Sequence, residues 1–101
     1  MSRILVIDDD RNTSFVVGTV LESAGHECEF VETTERGLAC QEQSKFDMIV
    51  VEIRSASINA QDIYATLRRR GDQTPVVMLD EKGIDVDELL TTITKCRLAV
   101  D

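Results

Sequence analysis

Short apolar runs alternate along the chain with segments whose apolar residues recur at helical spacing. The apolar runs are rich in β-branched residues and cover residues 3–8, 28–31, 48–53 and 75–79. Helices are predicted at residues 12–24, 34–44, 59–70 and 86–98. This alternation is typical of a parallel sheet with helices on both faces, because strands that are covered on both faces are apolar nearly throughout.

The first and last predicted helices carry clear boundary signals. In the first, apolar residues recur from Val16 to Leu21, and Gly25 follows where a left-handed C-terminal cap is favoured. Before the last, Asp85 and Glu88 have the spacing of a capping box. Since no Pro- or Gly-rich linker interrupts the pattern, residues 1–101 are predicted to form a single domain.

The charge balance narrows the classes of partner. Nineteen Asp and Glu against eleven Lys and Arg give a net charge of −8, which repels phosphate backbones and anionic membranes. We therefore expect no direct binding of nucleic acid or membrane. The longest apolar run, Ile4–Ile7, is too short to span a bilayer, and no signal-peptide pattern precedes it, so we expect a cytoplasmic protein.

The three cysteines do not form a recognisable motif. Cys28, Cys40 and Cys96 are widely spaced and lack a CxxC pair or clustered histidines. We expect reduced and mostly buried thiols.

Acidic residues follow three of the predicted strands. Asp8, Asp9 and Asp10 follow the first strand, Glu52 lies at the end of the third, and Asp80 follows the fourth. Ligands of open parallel sheets bind beyond the carboxyl ends of the strands, and oxygen ligands of this kind suit Mg2+. The alternative is that the three aspartates cap the first helix and that the other acids are solvated strand ends.

The order of these residues resembles the receiver domain of bacterial two-component response regulators. The resemblance is carried by ILVIDDDRNTSFVVGTVLESAGHECEF and by FDMIVVEIRSASINAQDIYATLRRRGDQTPVVML, and it continues in IDVDELLTTI. It implies an α/β, flavodoxin-like parallel sheet of order 2-1-3-4. In that family an acidic pair binds Mg2+ and an Asp that ends the third strand accepts a phosphoryl group. A Thr or Ser ends the fourth strand and a Lys ends the fifth.

The match to the family's site is incomplete. Asp8 and Asp9 match the metal-binding pair, but Glu52 stands where the phosphoryl-accepting Asp is expected. Its extra methylene displaces the attacking oxygen from an in-line geometry. Asp80 stands in the place of the Thr or Ser, where a carboxylate repels an incoming phosphoryl group. The resemblance thus implies a phosphorylation site that is substituted at two positions.

The C-terminal part departs further from the family. Residues 81–101 are too few for a helix, a strand and a second helix, since a βαβ unit takes about 30 residues. We expect the fourth helix and the fifth strand to be missing. Neither Lys82 nor Lys95 matches the family's lysine.

These departures predict a truncated pseudo-receiver that acts by protein contact, without phosphorylation and without enzymatic activity. No residue is assigned a catalytic role, and any Mg2+ binding at Asp8 and Asp9 is expected to be weak. Glu52 is either a permanent negative charge in place of a phosphate or, as we favour, a tolerated acid on an inactive rim. Two alternatives stay open. One is a receiver that is phosphorylated on Glu52 with Mg2+, and the other is the N-terminal regulatory domain of a longer transcription regulator.

An interaction surface is predicted from the missing strand. Without the fifth strand, Val76, Val77, Met78 and Leu79 form an apolar edge, which invites pairing with another chain. Phe15 on the first helix is expected to add apolar surface on the same flank. We therefore expect a homodimer or a stable partner complex. The alternative is that the last helix folds across this edge.

Overall fold

The computed structural model describes residues 2–52, 58–79 and 91. Over these residues, four strands alternate with three helices. In chain order they are β1 (Arg3–Ile7), α1 (Arg11–Ser23), β2 (Glu27–Val31), α2 (Thr34–Gln43), β3 (Met48–Glu52), α3 (Ala60–Arg69) and β4 (Val76–Leu79). The elements predicted for this part of the chain are confirmed, and their ends differ from the prediction by no more than one residue.

The four strands form one parallel sheet in the order β2-β1-β3-β4. In the register, Ile4 of β1 lies opposite Cys28 of β2 on one side and opposite Met48 of β3 on the other. The predicted flavodoxin-like sheet order is confirmed. In a parallel sheet all strands end at the same edge, so the residues after β1 and β3 are brought together.

Helices cover both faces of this sheet. On one face, Val17 and Leu21 of α1 pack with the residues of β1 and β3 that point toward them. On the other face, Ile63 and Leu67 of α3 belong to a second apolar cluster. Because successive residues of a strand point to opposite faces, β1 contributes alternate residues to the two clusters. Residues Ile4, Leu5, Val6 and Ile7 are consequently all at most 1% exposed.

The ends of α1 follow the predicted signals. At its start, the Asp10 side chain accepts hydrogen bonds from the backbone N–H groups of Asn12 and Thr13, at 2.9 and 3.3 Å. Beyond its end, Gly25 has φ of +93°, a conformation that favours glycine. Val16, which the apolar pattern placed on the buried stripe, is 45% exposed, because the narrow stripe facing the sheet is formed by Val17 and Leu21.

Several predicted features lie outside the described residues. They include Asp80, Lys82 and Lys95 together with the predicted helix at 86–98, of which only Thr91 is described, in helical conformation. The expectation that the fourth helix and fifth strand are missing also concerns residues after 79.

The described cysteines are free thiols. Cys28 and Cys40 are each partly buried rather than fully buried. Burial, with a smaller contribution from nearby Glu22, raises the pKa of the Cys28 thiol to about 11. The Cys28 thiol is therefore protonated near neutral pH, which makes it a poor nucleophile.

Candidate functional site at the carboxyl edge of the sheet

Two acidic side chains lie next to each other where β1 and β3 end. The register places Ile7 opposite Val51, so Asp8 and Glu52 occupy adjacent positions at the carboxyl edge. Both side chains are buried, and each residue is only 2% exposed. The charge of Glu52 acts on Asp8. The predicted convergence of acids from separate strands is thus observed for this pair.

The three consecutive aspartates have different environments. Asp8 is buried, and its Oδ1 accepts a hydrogen bond of 2.9 Å from the backbone N–H of Asp10. Asp9 is exposed, and Asp10 is the N-terminal cap of α1. The cap interpretation is therefore correct for Asp10, whereas Asp8 is buried at the edge of the sheet.

The surroundings of Asp8 at this edge shift its ionisation. Burial raises its pKa, the hydrogen bond from the Asp10 backbone opposes that rise, and the nearby charges of Glu52, Asp10 and Asp9 raise it further. The net direction is upward. In the described part of the chain, its second carboxylate oxygen, Oδ2, is buried and has no hydrogen-bond partner. A buried acceptor in this state is suited to a proton or a cation.

The donor set bears on the metal that the family resemblance implies. Within residues 2–52, 58–79 and 91, no three acidic, histidine or cysteine side chains are grouped so as to hold a metal ion. Mg2+ commonly takes only one or two protein carboxylates and keeps several waters. The orphaned Asp8 Oδ2, beside exposed Asp9, is therefore compatible with a water-rich Mg2+ site.

Comparison with known proteins identifies the family. The sequence profile described as the response regulator receiver domain matches residues 4–94. The chain belongs to the response regulator receiver domain family. Glu52 of this receiver domain therefore occupies the end of the third strand, the position that the resemblance assigned to the phosphoryl-accepting Asp.

Curated relatives of this receiver domain are transcriptional regulatory proteins. It is 28% identical over 87 residues to TcrA of Mycobacterium tuberculosis, covering 86% of this chain and 34% of TcrA. It is 30% identical over 90 residues to CpxR of Escherichia coli K12, covering 89% of this chain and 38% of CpxR. The chain thus spans little more than a third of the length of these two relatives.

Solved structures agree with the fold. The receiver domain of the Francisella response regulator 1452 superposes with a TM-score of 0.88 at 17% identity, over 100% of both chains. Chemotaxis protein CheY4 of Vibrio cholerae gives 0.84 at 20% identity, over 95% of this chain and 98% of that one. TrrA of Thermotoga maritima, solved with Mg2+ and BeF, gives 0.77 at 22% identity, over 95% and 99%. At these identities the likeness establishes the fold.

The predicted interaction residues do not form one surface. Phe15 is 75% exposed and lines a groove with Phe30 of β2. Since β2 and β4 lie at opposite ends of the sheet that the described strands form, the expectation that Phe15 shares a flank with β4 is wrong. The reason is that the Phe15 side chain projects from α1 toward β2.

The β4 strand has the mixed exposure of an edge. Within the described residues it pairs only with β3. Val77 is buried, Val76 and Leu79 are half-buried, and Met78 is 45% exposed. An interface along this strand stays a prediction.

A buried polar network at the opposite, amino edge of the sheet was not predicted. Asp72, in the loop before β4, accepts hydrogen bonds from Gln41 Nε2 at 2.9 Å, Lys45 Nζ at 3.1 Å and the Thr74 backbone N–H at 2.9 Å. Gln41 also accepts the Phe46 N–H at 3.0 Å. Since these partners come from separate loops and a helix, the local sequence contains no signal for the network.

No helix in the described ranges is both long and apolar enough to cross a membrane.

Proposed function

We propose that this receiver domain is a regulatory protein-interaction module that works without being phosphorylated and without enzymatic activity of its own. The observation that carries this proposal is the position of Glu52. It is buried at the end of β3 beside Asp8, where the family has its phosphoryl-accepting Asp.

The chemistry of Glu52 argues against phosphoryl transfer. The reaction depends on positioning the attacking oxygen in line with the phosphorus atom and on stabilising the charge that develops. A Glu in a site built for Asp extends the attacking oxygen by one methylene. The same acid lies beside Asp8, whose charge adds to the repulsion of an incoming dianion.

The sequence supports the same conclusion at two further positions. Asp80 replaces the Thr or Ser whose hydroxyl would hydrogen-bond a phosphoryl oxygen, and no lysine matches the family's lysine. These substitutions remove charge stabilisation that the reaction needs. Even a correctly placed acceptor is therefore expected to react poorly.

Mg2+ binding is proposed to be weak. Asp8 and Asp9 are the residues that would hold the ion, and its charge would offset the repulsion between Asp8 and Glu52. Glu52 has one of two proposed roles. It is either a permanent negative charge in place of a phosphate or a tolerated acid on an inactive rim. We favour the second.

The proposed partners are proteins, in the cytoplasm. A homodimer or partner complex is proposed to cover the edge formed by β4, where Met78 is exposed. The net charge of −8 supports the absence of direct nucleic-acid binding by this domain. A second candidate is that it regulates a longer transcription factor, which the names of the curated relatives support.

Phosphorylation is tested by incubating the chain with a small acyl phosphate and Mg2+ and measuring its intact mass. We expect no mass increase, while a phosphorylatable receiver domain treated in parallel gains one phosphoryl group. A stoichiometric adduct on Glu52 would contradict the proposal.

The variant Glu52→Asp separates the effect of the side-chain length at position 52 from the effects of Asp80 and of the missing lysine. It restores the side-chain length but leaves Asp80 and the missing lysine unchanged, so we expect it also to stay unmodified. If Glu52→Asp is phosphorylated to completion, the other substitutions do not block the reaction and only Glu52 does.

A further inference from the structure

A groove runs along the side of α1 that faces the β2 edge. Its volume is about 330 Å3, and one end reaches Asp8. The residues that give it its character are Arg11, Phe15, Gly18, Glu22, Phe30 and Glu32. Apart from Asp8 at that end, the residues that line the groove take no part in the proposed phosphorylation-site chemistry.

Two aromatic rings form the apolar part of the groove. Phe15 of α1 is 75% exposed and Phe30 of β2 is 43% exposed. Phe15 lies on a regular helix and Phe30 on a strand that pairs with β1, so their exposure is a property of the folded surface. Two large apolar side chains that are exposed side by side are typical of a contact surface, whereas single ones are common on any protein.

Gly18 allows the Phe30 ring to lie against the helix. A Cβ atom at this position would be 2.5 Å from Phe30 Cζ, too close for the ring to keep its place. The bare backbone of Gly18 therefore lets the ring fill the space beside α1. We call the apolar lining that this ring forms with Phe15 the apolar floor of the groove.

The charged groups around this floor are mostly acidic. Among the described residues, the charged side chains that line the groove are three acids, Asp8, Glu22 and Glu32, and one cation, Arg11. Arg11 is itself ion-paired with Glu32 at 3.9 Å, and its side chain is 93% exposed. The surface thus offers an apolar floor within a net negative rim, on a chain whose net charge is −8.

We propose that this groove docks an amphipathic segment of a partner protein that presents an apolar anchor side chain flanked by Lys or Arg. The anchor packs between Phe15 and Phe30, and the cations face Glu22 and Glu32. This rests on the proposed role of the domain as a protein-interaction module and names the chemistry of its partner. A second copy of the chain is the poorer occupant, because it would bring the same excess of carboxylates to an acidic rim.

The test uses two short helix-forming peptides that share one Leu stripe and differ in carrying Lys or Glu beside it. Binding is measured by fluorescence anisotropy of the labelled peptides, with the full chain. We expect the Lys peptide to bind, more tightly at low salt, and the Glu peptide not to bind. Equal binding of the two peptides, or no binding of either, would overturn the proposal.

Paired variants locate the contact. Phe15→Ser is expected to weaken binding of the Lys peptide about tenfold, in the range of an interface anchor. Tyr64→Ser is the control, because Tyr64 is an exposed aromatic residue, at 46%, on the helix that covers the opposite face of the sheet, and it should leave binding unchanged. Equal affinity of Phe15→Ser and wild type would contradict the assignment.

Charge is tested in the same way. Glu22→Gln combined with Glu32→Gln should weaken the Lys peptide severalfold, whereas Glu42→Gln, an exposed acid on α2, should not. Sedimentation of wild type and Phe15→Ser tests whether a second copy of the chain occupies the groove. Loss of self-association in the variant would assign the groove to a second copy and overturn the proposal. The proposed function fails separately, through phosphorylation of Glu52, which the peptide experiments do not measure.

Discussion

Asp8 and Asp72 are both buried carboxylates, with 2% and 7% of their surface exposed, but they lie at opposite edges of the sheet. At the carboxyl edge, Asp8 has one oxygen without a hydrogen-bond partner among the described residues and an acid, Glu52, beside it. At the amino edge, Asp72 accepts hydrogen bonds from Gln41, Lys45 and Thr74. Among the described residues, the same type of side chain thus has one oxygen without a partner at one edge and accepts hydrogen bonds on both oxygens at the other.

The two environments shift ionisation in opposite directions. Burial, reinforced by Glu52, raises the pKa of Asp8. Burial also acts to raise the pKa of Asp72, but hydrogen bonds from Thr74, Gln41 and Lys45 outweigh it and hold the pKa well below its usual range. Burial alone therefore does not decide whether a carboxylate stabilises a fold; the donors around it do.

The difference indicates that the amino edge stabilises the fold and that the carboxyl edge is suited to binding a ligand. Asp72 connects the end of α2 with the loop before β4, and Arg68 adds a hydrogen bond of 2.9 Å to the Asp72 carbonyl. Such a network holds the ends of elements together. Within the described part of the chain, Asp8 accepts a hydrogen bond from the Asp10 N–H on Oδ1 and has no partner for Oδ2. A buried carboxylate that costs stability in this way is typical of a site that binds a ligand.

The largest effect is expected for Asp72→Ala. It removes the acceptor of the buried Gln41 amide and of the half-buried Thr74 N–H, and we expect a loss of about 3 kcal/mol in the free energy of unfolding. Urea denaturation measures this loss. Glu42→Ala, which removes an exposed acid whose carboxylate lies 3.8 Å from Arg70, is the control and should cost less than about 1 kcal/mol. A similar small cost for both variants would show that the network does not stabilise the fold.

Asp8→Asn is expected to have the opposite sign. It removes a buried charge beside Glu52 while keeping an oxygen for the Asp10 N–H, so we expect a gain of about 1–2 kcal/mol at pH 7. Glu29→Gln on the exposed edge strand β2 serves as the control and should stay within about 0.5 kcal/mol of wild type. A loss of stability in Asp8→Asn would mean that the Asp8 carboxylate has a stabilising partner.

The pH dependence of that gain sharpens the comparison. Because the pKa of Asp8 is raised on folding, the native state binds more protons than the unfolded state, and its stability falls as the pH rises above the unfolded value of about 3.9. The advantage of Asp8→Asn should therefore shrink as the pH falls from 7 toward 4.

For Asp72 the pKa is lowered, so its contribution to stability is present above about pH 3.9 and is lost only as the pH falls below that value. Denaturation at several pH values checks both directions, and an advantage of Asp8→Asn that is independent of pH would contradict the first.

The smallest effect is expected for Lys45→Met. Lys45 donates to Asp72, but its side chain is 67% exposed, so water replaces much of what the ion pair contributes. We expect a loss of less than about 1 kcal/mol by urea denaturation, clearly below that of Asp72→Ala. A loss as large as that of Asp72→Ala would mean that the cation, rather than the neutral donors of Gln41 and Thr74, holds the carboxylate.

The sequence by itself determined the elements and their order. Strands and helices follow from short-range patterns, such as the apolar residues of β1 and the cap at Asp10, and these patterns predicted each described boundary to within one residue. The parallel sheet follows from their alternation, and with it the convergence of Asp8 and Glu52 at one edge. Family membership was also visible, because the motif residues lie within these elements.

Only the tertiary structure decided which side chains are satisfied and which surfaces are left open. Gln41 and Asp72 are 31 residues apart, and no local rule brings an amide of α2 to a carboxylate before β4. The apolar pattern likewise could not tell which flank Phe15 faces, because this depends on the rotation of α1 over the sheet and on Phe30 lying against Gly18. Hydrogen bonds and pKa values depend on distances between residues that the chain separates, and those distances exist only after the elements have packed.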